Sequence, residues 1–183
     1  MINFFKESLW RQFGASIDML NNALLQCPDD YLHSKKKFFY AAYHTIVFLD
    51  YYLSIPPKDF SSPLPYTLKS PGEIPADAID DVVPDRLYSK AELIKYLRHS
   101  RDKCKSVIAS LTEDDLKRNW IAGEGKMDLN LSGRDALSYP VMEILLYNLR
   151  HVQHHTAQMN MMLRQDTGNA PDYVSHAADS LNG

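Results

Sequence analysis

The sequence predicts an all-α protein, a four-helix bundle in up-down-down-up order with a long proline-rich crossover between helices 2 and 3. Three observations carry this prediction. Four stretches repeat apolar residues at helical spacing or are apolar all round. No strand–helix alternation supports an α/β fold. Seven of the ten prolines (Pro56, Pro57, Pro63, Pro65, Pro71, Pro75 and Pro84) fall in one segment, which excludes a helix interior or a central strand there. A connection of that length is what two neighbouring helices running in the same direction require. The 183 residues read as one domain, 1–183, with the acidic proline-rich loop at 56–88 and a tail at 166–183.

In helix 1, Phe5, Leu9, Phe13, Ile17, Leu20 and Leu24 recur at spacings of four and three, and Pro28 ends the run. Helix 2 runs from about Ser34 to Leu53 and is apolar nearly all round, from Phe38 and Phe39 to Phe48 and Leu49. Such a helix is central and buried. Ser89-Lys90-Ala91-Glu92 is a capping box that opens helix 3, which continues to about Leu111. Its basic residues Lys90, Lys95, Arg98, Arg101, Lys103 and Lys105 read as a solvated face rather than a nucleic-acid site. Asn119 to Gly133 reads as a loop or short hairpin, and Ser132-Gly133-Arg134-Asp135 as a cap for a short helix. Pro140 kinks or starts helix 4, which runs to about Gln165 and is closed by Gly168 and Pro171.

Composition narrows the function classes. Twenty basic residues against 23 acidic ones, net −3, argue against a nucleic-acid module. Two cysteines, Cys27 and Cys104, support neither a disulfide scaffold nor a cysteine zinc site. Lys6 and Glu7 interrupt any signal-peptide pattern, and the most apolar stretch, Phe38–Leu53, carries His44 and Asp50 and is too short for a membrane span. The expectation is a cytoplasmic protein with no membrane partner, acting on a small molecule.

Three of the seven histidines lie between 151 and 155. At 100° per residue, Ile144, Asn148, His151, His155, Gln158 and Met162 fall within about 80° of one another, opposite Arg150, Gln153, Asn160 and Arg164. A polar cluster on an inward stripe is costly unless something satisfies it. His151 and His155 are one turn apart, so both imidazoles can reach one ion. The glutamate of H-E-x-x-H is absent, which argues against a thermolysin-like protease. His44, in mid-helix 2 between Tyr40 and Phe48, is the third candidate ligand; a hydrogen-bonded core histidine is the alternative. Facing helices of a bundle present ligands to one point in the core, and three imidazoles leave positions on a divalent metal for water or substrate. Asn148 and Gln158, one turn to either side of the pair, are candidates for contacting a cofactor or substrate. His154 lies off the stripe, and His33, His99 and His176 read as surface residues.

The stretch from Tyr147 to Asn160, with His151-Val152-Gln153-His154-His155 followed by Gln158, resembles the last-helix signature of the DinB/YfiT-like family, and His44 matches that family's first histidine. Pro171-Asp172-Tyr173-Val174 is similar to the short tail after the bundle. The family commonly has Arg-Gly after the second histidine, where this chain has Thr156-Ala157. The resemblance implies an up-down-down-up bundle, a three-histidine site (His44, His151, His155) for nickel or zinc, and a homodimer. It also implies a transferase or isomerase that uses a low-molecular-weight thiol, with the metal holding the thiol as thiolate. A metal-assisted hydrolase and a non-enzymatic metal-binding or stress-associated scaffold are the alternatives.

Overall fold

The computed structural model describes residues 1–121 and 139–181. These residues are mostly helical. Helix α1 (Ile2–Gln26) buries Leu9, Phe13, Ile17, Leu20 and Leu24, the predicted stripe, together with Trp10. The Cys27 N–H closes its last turn on the Ala23 carbonyl, and Pro28 follows.

The predicted second helix forms, and one further helical turn precedes it. Helices α2 (Tyr31–Ser34) and α3 (Lys36–Tyr52) meet at Lys35, whose φ of −106° and ψ of 80° leave the helical region. The break sets Tyr31 edge-on to Phe38 at 5.2 Å between ring centroids, and the Tyr31 hydroxyl donates to Asp166. Helix α3 is buried on almost every side, from Phe38 to Tyr52, as its composition requires.

The crossover is more ordered than a loop. It contains single 3₁₀ turns at Pro57–Asp59 and Pro71–Glu73 and an antiparallel pair, β1 (Tyr66–Leu68) and β2 (Val82–Pro84), in which Leu68 faces Val82. The prolines forbid a central strand, and this pair stands alone rather than inside a larger sheet. The Tyr43 hydroxyl donates to the Leu64 carbonyl at 2.6 Å, which ties the segment to α3, and the Tyr88 hydroxyl, its ring stacked on Tyr43, donates to the Pro65 carbonyl at 2.7 Å within the segment.

Helix α4 (Lys90–Ser110) begins with the predicted capping box. The Ser89 hydroxyl accepts from the Glu92 N–H, and the Glu92 carboxylate accepts from the Ser89 N–H. Its basic residues are not a uniformly solvated face. Lys95 and Arg98 are exposed, but Arg101 pairs with Asp18 and Asp179, Lys103 with Asp50, Lys105 with Asp179, and Lys90 with Asp29. Acidic partners on other elements turn that face into a set of tethers. A short helix, α5 (Glu113–Lys117), carries a second capping box, Thr112 with Asp115, that the sequence reading did not single out. Helix α6 (Val141–Thr167) starts directly after Pro140 and ends at Gly168, whose φ of 74° suits glycine. The readings at 122–133 and at Ser132–Asp135 lie outside the described residues. Next to them, the Trp120 N–H donates to the Tyr139 carbonyl.

Helix α1 packs on α4 and α6, and α3 packs on the same two helices. No described helix is long and apolar enough to cross a membrane. The tail returns over α1. The Ala177 N–H donates to the Arg11 carbonyl, the Trp10 indole N–H donates to the Asp179 carbonyl, and the Asp179 carboxylate takes both Arg101 and Lys105. Gly14 makes this docking possible, because a Cβ there would lie 2.6 Å from the Ala177 Cβ.

Gly14→Ala gives a sharp test. Helix propensity alone favours alanine by about 1 kcal/mol, whereas overpacking against the tail costs about 1–3 kcal/mol. Urea unfolding is expected to show a net loss of stability. In a chain truncated after residue 173, the same substitution is expected to be neutral or stabilising.

Candidate metal centre

The α3–α6 seam brings the site together. Near its middle, the Asn148 side-chain amide donates to the Leu49 carbonyl at 3.0 Å, which fixes the register of the two helices. That register sets His44 of α3 opposite His151 and His155 of α6. One ligand atom from each of the three lies within 4.8 Å of the others. The Nε2 atoms of His44 and His151 are 2.9 Å apart, and the His155 ring centroid lies 4.7 Å from that of His44 and 4.6 Å from that of His151. Phe48 closes one side, 4.6 Å from the His44 ring, while Tyr52 and the parallel ring of Tyr147 flank His151.

The outer nitrogens decide which way the lone pairs point. His155 Nδ1 is 2.8 Å from Gln158 Oε1, an acceptor, so His155 carries its proton on Nδ1 and turns the bare Nε2 inward. His44 Nδ1 is 3.0 Å from Asp80 Oδ2, an ionic contact that approaches obliquely rather than along the N–H line. His151 Nδ1 is buried with no hydrogen-bond partner. Burial holds the His151 imidazole down to about 2, with His44 and His155 adding to the shift. Burial also lowers His155, to about 4, with His44 adding to the shift and the Gln158 hydrogen bond opposing it. Both rings are therefore neutral near pH 7, the form that ligates a metal.

This donor set fits a divalent cation of intermediate softness. It offers imidazole nitrogens only, which suit zinc, nickel or copper rather than calcium or magnesium. Bare nitrogens facing one another in a buried seam repel unless a proton or a cation lies between them.

The three predicted ligands thus come together. Gln158 bonds to His155 and also lines a cavity of about 420 Å³ with Lys37, Ile79, Met161 and Gln165. Asn148 is fully buried on the α3 backbone, and its Oδ1 has no hydrogen-bond partner. His154 is exposed with its ring against His155, and His33, His99 and His176 are exposed. The sequence reading missed Asp80. It is one of five acidic residues noted in the crossover (Glu73, Asp77, Asp80, Asp81 and Asp85), and no motif separates it from the other four.

A family model described as the DinB superfamily matches residues 12–159, a span that includes all three histidines. No curated protein and no solved structure matches the chain.

The depressed histidines make stability depend on pH. Above the ordinary imidazole value of 6.5 both states are neutral and nothing is contributed. As pH falls below 6.5 the unfolded chain takes up protons that folded His151 and His155 refuse, so the folded state loses ground. The metal-free protein is expected to lose thermal stability steadily between about pH 6.5 and about pH 4. Replacing His151 and His155 with Asn is expected to flatten the profile in that window; an unchanged slope would contradict the assignment.

Proposed function

The chain belongs to the DinB superfamily, and we propose that it is a divalent-metal-dependent enzyme, a transferase acting with a low-molecular-weight thiol on a small electrophile. His44, His151 and His155 would hold the ion, nickel or zinc. The observation that carries this reading is the convergence of three imidazoles from two helices on one point of a buried seam, with the depressed His151 and His155 neutral at physiological pH. When bound, such an ion supplies Lewis acidity, which lowers the pKa of a thiol or water.

The chain's own side chains do the rest. Gln158 orients His155 through Oε1 and keeps its amide N–H₂ free to meet a ligand in the adjoining cavity. Phe48, Tyr52 and Tyr147 limit access of bulk water to the histidines. Met161, Met162 and Ile79, with Lys37 and Asp77, give the cavity apolar walls and two charges, which suits a small amphipathic organic molecule. Asn148 holds the seam in register and presents its second polar atom, Oδ1, toward the interior.

The same reading includes one domain folded as an up-down-down-up four-helix bundle, acting as a cytoplasmic homodimer. Residue pairings support the helix order. Asp18 meets Arg101 while Lys6 meets the Leu111 carbonyl, so α1 and α4 run oppositely. Tyr43 stacks on Tyr88, two residues before α4, while Asp50 meets Lys103 further along it, so α3 and α4 run together. Tyr52 meets Tyr147 while His44 meets His155, so α6 opposes α3.

Elemental analysis of protein purified without a nickel-binding tag is expected to find about one nickel or zinc per chain, since three converging imidazoles suffice to hold such an ion and leave a position open for water or substrate. His151→Ala with His155→Ala is expected to abolish it. No bound metal after reconstitution with Ni²⁺ or Zn²⁺ would overturn the assignment. Loaded protein is expected to gain thermal stability, by about 2.7 kcal/mol at a free ion concentration of 100 times Kd. A further shift with small thiols separates a thiol transferase from a hydrolase built on the same site.

A further inference from the structure

We propose that Asp80 is a positioning residue of this centre: its carboxylate keeps the His44 proton on Nδ1 and leaves the Nε2 lone pair facing His151 and His155. The inference rests on the reading of the three histidines as ligands and adds to it a residue from the crossover.

The carboxylate is held at both oxygens. Oδ1 accepts from the Val82 N–H at 3.1 Å, and Oδ2 stands 3.0 Å from His44 Nδ1. Val82 is itself fixed, 3% exposed and paired with Leu68 across the two-stranded sheet. Proline-rich chain and the Tyr43 and Tyr88 hydroxyls hold the sheet's approach to α3. The fold therefore aims Oδ2 at His44.

Three other carboxylates of the segment are placed elsewhere: Glu73 accepts from the Ser70 N–H, Asp85 accepts from the Thr67 hydroxyl, and Asp77 lines the neighbouring cavity. Asp80 is not a ligand. Among the described residues the mutually close donor set contains the histidines alone.

A carboxylate can only accept, and a neutral imidazole has one N–H to give. A proton on Nδ1 leaves Nε2 bare. Because Oδ2 approaches off the N–H line, its hold on that proton is mainly electrostatic, which makes the negative charge matter more than the angle. Gln158 sets the same tautomer on His155 from the opposite helix. His155 is thus pre-set by a hydrogen bond, whereas His44 Nδ1, like His151 Nδ1, has no hydrogen-bond partner and meets only the Asp80 charge at 3.0 Å.

The test uses the full chain with Asp80→Ala, Asp80→Asn and Asp80→Glu. Long-range ¹H–¹⁵N NMR of the metal-free protein reads the His44 tautomer directly, and competition with a chromophoric chelator reads Zn²⁺ and Ni²⁺ affinity. The wild type is expected to show the Nδ1–H form. Asp80→Ala is expected to shift His44 toward Nε2–H and weaken both ions by about 10–100-fold, with an unchanged far-UV spectrum. Asp80→Asn, which keeps the acceptor for Val82 but loses the charge, covers the case in which the alanine variant fails to fold. Asp80→Glu is expected to restore part of the affinity. A His44 tautomer that does not respond to loss of the Asp80 charge overturns the proposal, whatever the affinities. If the wild-type chain binds neither ion, the metal reading falls, and the tautomer measurement still decides the role of Asp80.

Discussion

Three imidazoles share one buried seam, and the cost of charging them there is the constraint around which the site is arranged. Burial makes the charged forms of His151 and His155 costly, so these rings stay neutral. A neutral ring has one donor and one acceptor, and an acceptor on the outer nitrogen decides where the lone pair points. Gln158 supplies that acceptor one turn along the same helix. For His44 it is a negative charge, the Asp80 carboxylate, that comes from a segment more than 30 residues away in sequence, beside a short sheet that would otherwise look like a mere connection. The Asn148 amide on the Leu49 carbonyl holds the two helices in the register this arrangement needs.

Around the seam, charge pairing between elements takes over from apolar packing. Asp50 is buried on α3 and is met by the Tyr96 hydroxyl and the Lys103 ammonium from α4. Removing one partner of such a buried set is far more damaging than the pair's net contribution suggests, because the remaining charge is stranded. On the opposite face of α4, Arg101 and Lys105 reach the tail at Asp179, and Arg101 also lies over the Trp10 ring. The tail thus closes over α1 and α4 at a point where Gly14 leaves room for it.

Most of the helical framework was legible in the sequence because its signals are local. The α1 stripe, the Ser89–Glu92 box, the uniform burial of α3 and the Gly168 stop each depend on residues within a few turns of one another. The pairing of His151 with His155 was legible for the same reason, since i and i+4 share a helix face. The misreading is non-local: the basic face of α4 is tethered by acidic residues on other elements.

The sequence by itself determined the helical class, most of the helix ends and the three histidines that form the candidate centre. Period, caps and breakers act within a helix or a turn, and imidazole is the side chain whose neutral form is a good donor at physiological pH. Only the tertiary structure decided which carboxylate faces His44. The acidic residues of the crossover are equivalent in sequence, and Asp80 stands out because the Val82 N–H and the β1–β2 register aim it inward. Which way a lone pair points is settled by what lies across the seam, and no local pattern in the chain encodes that.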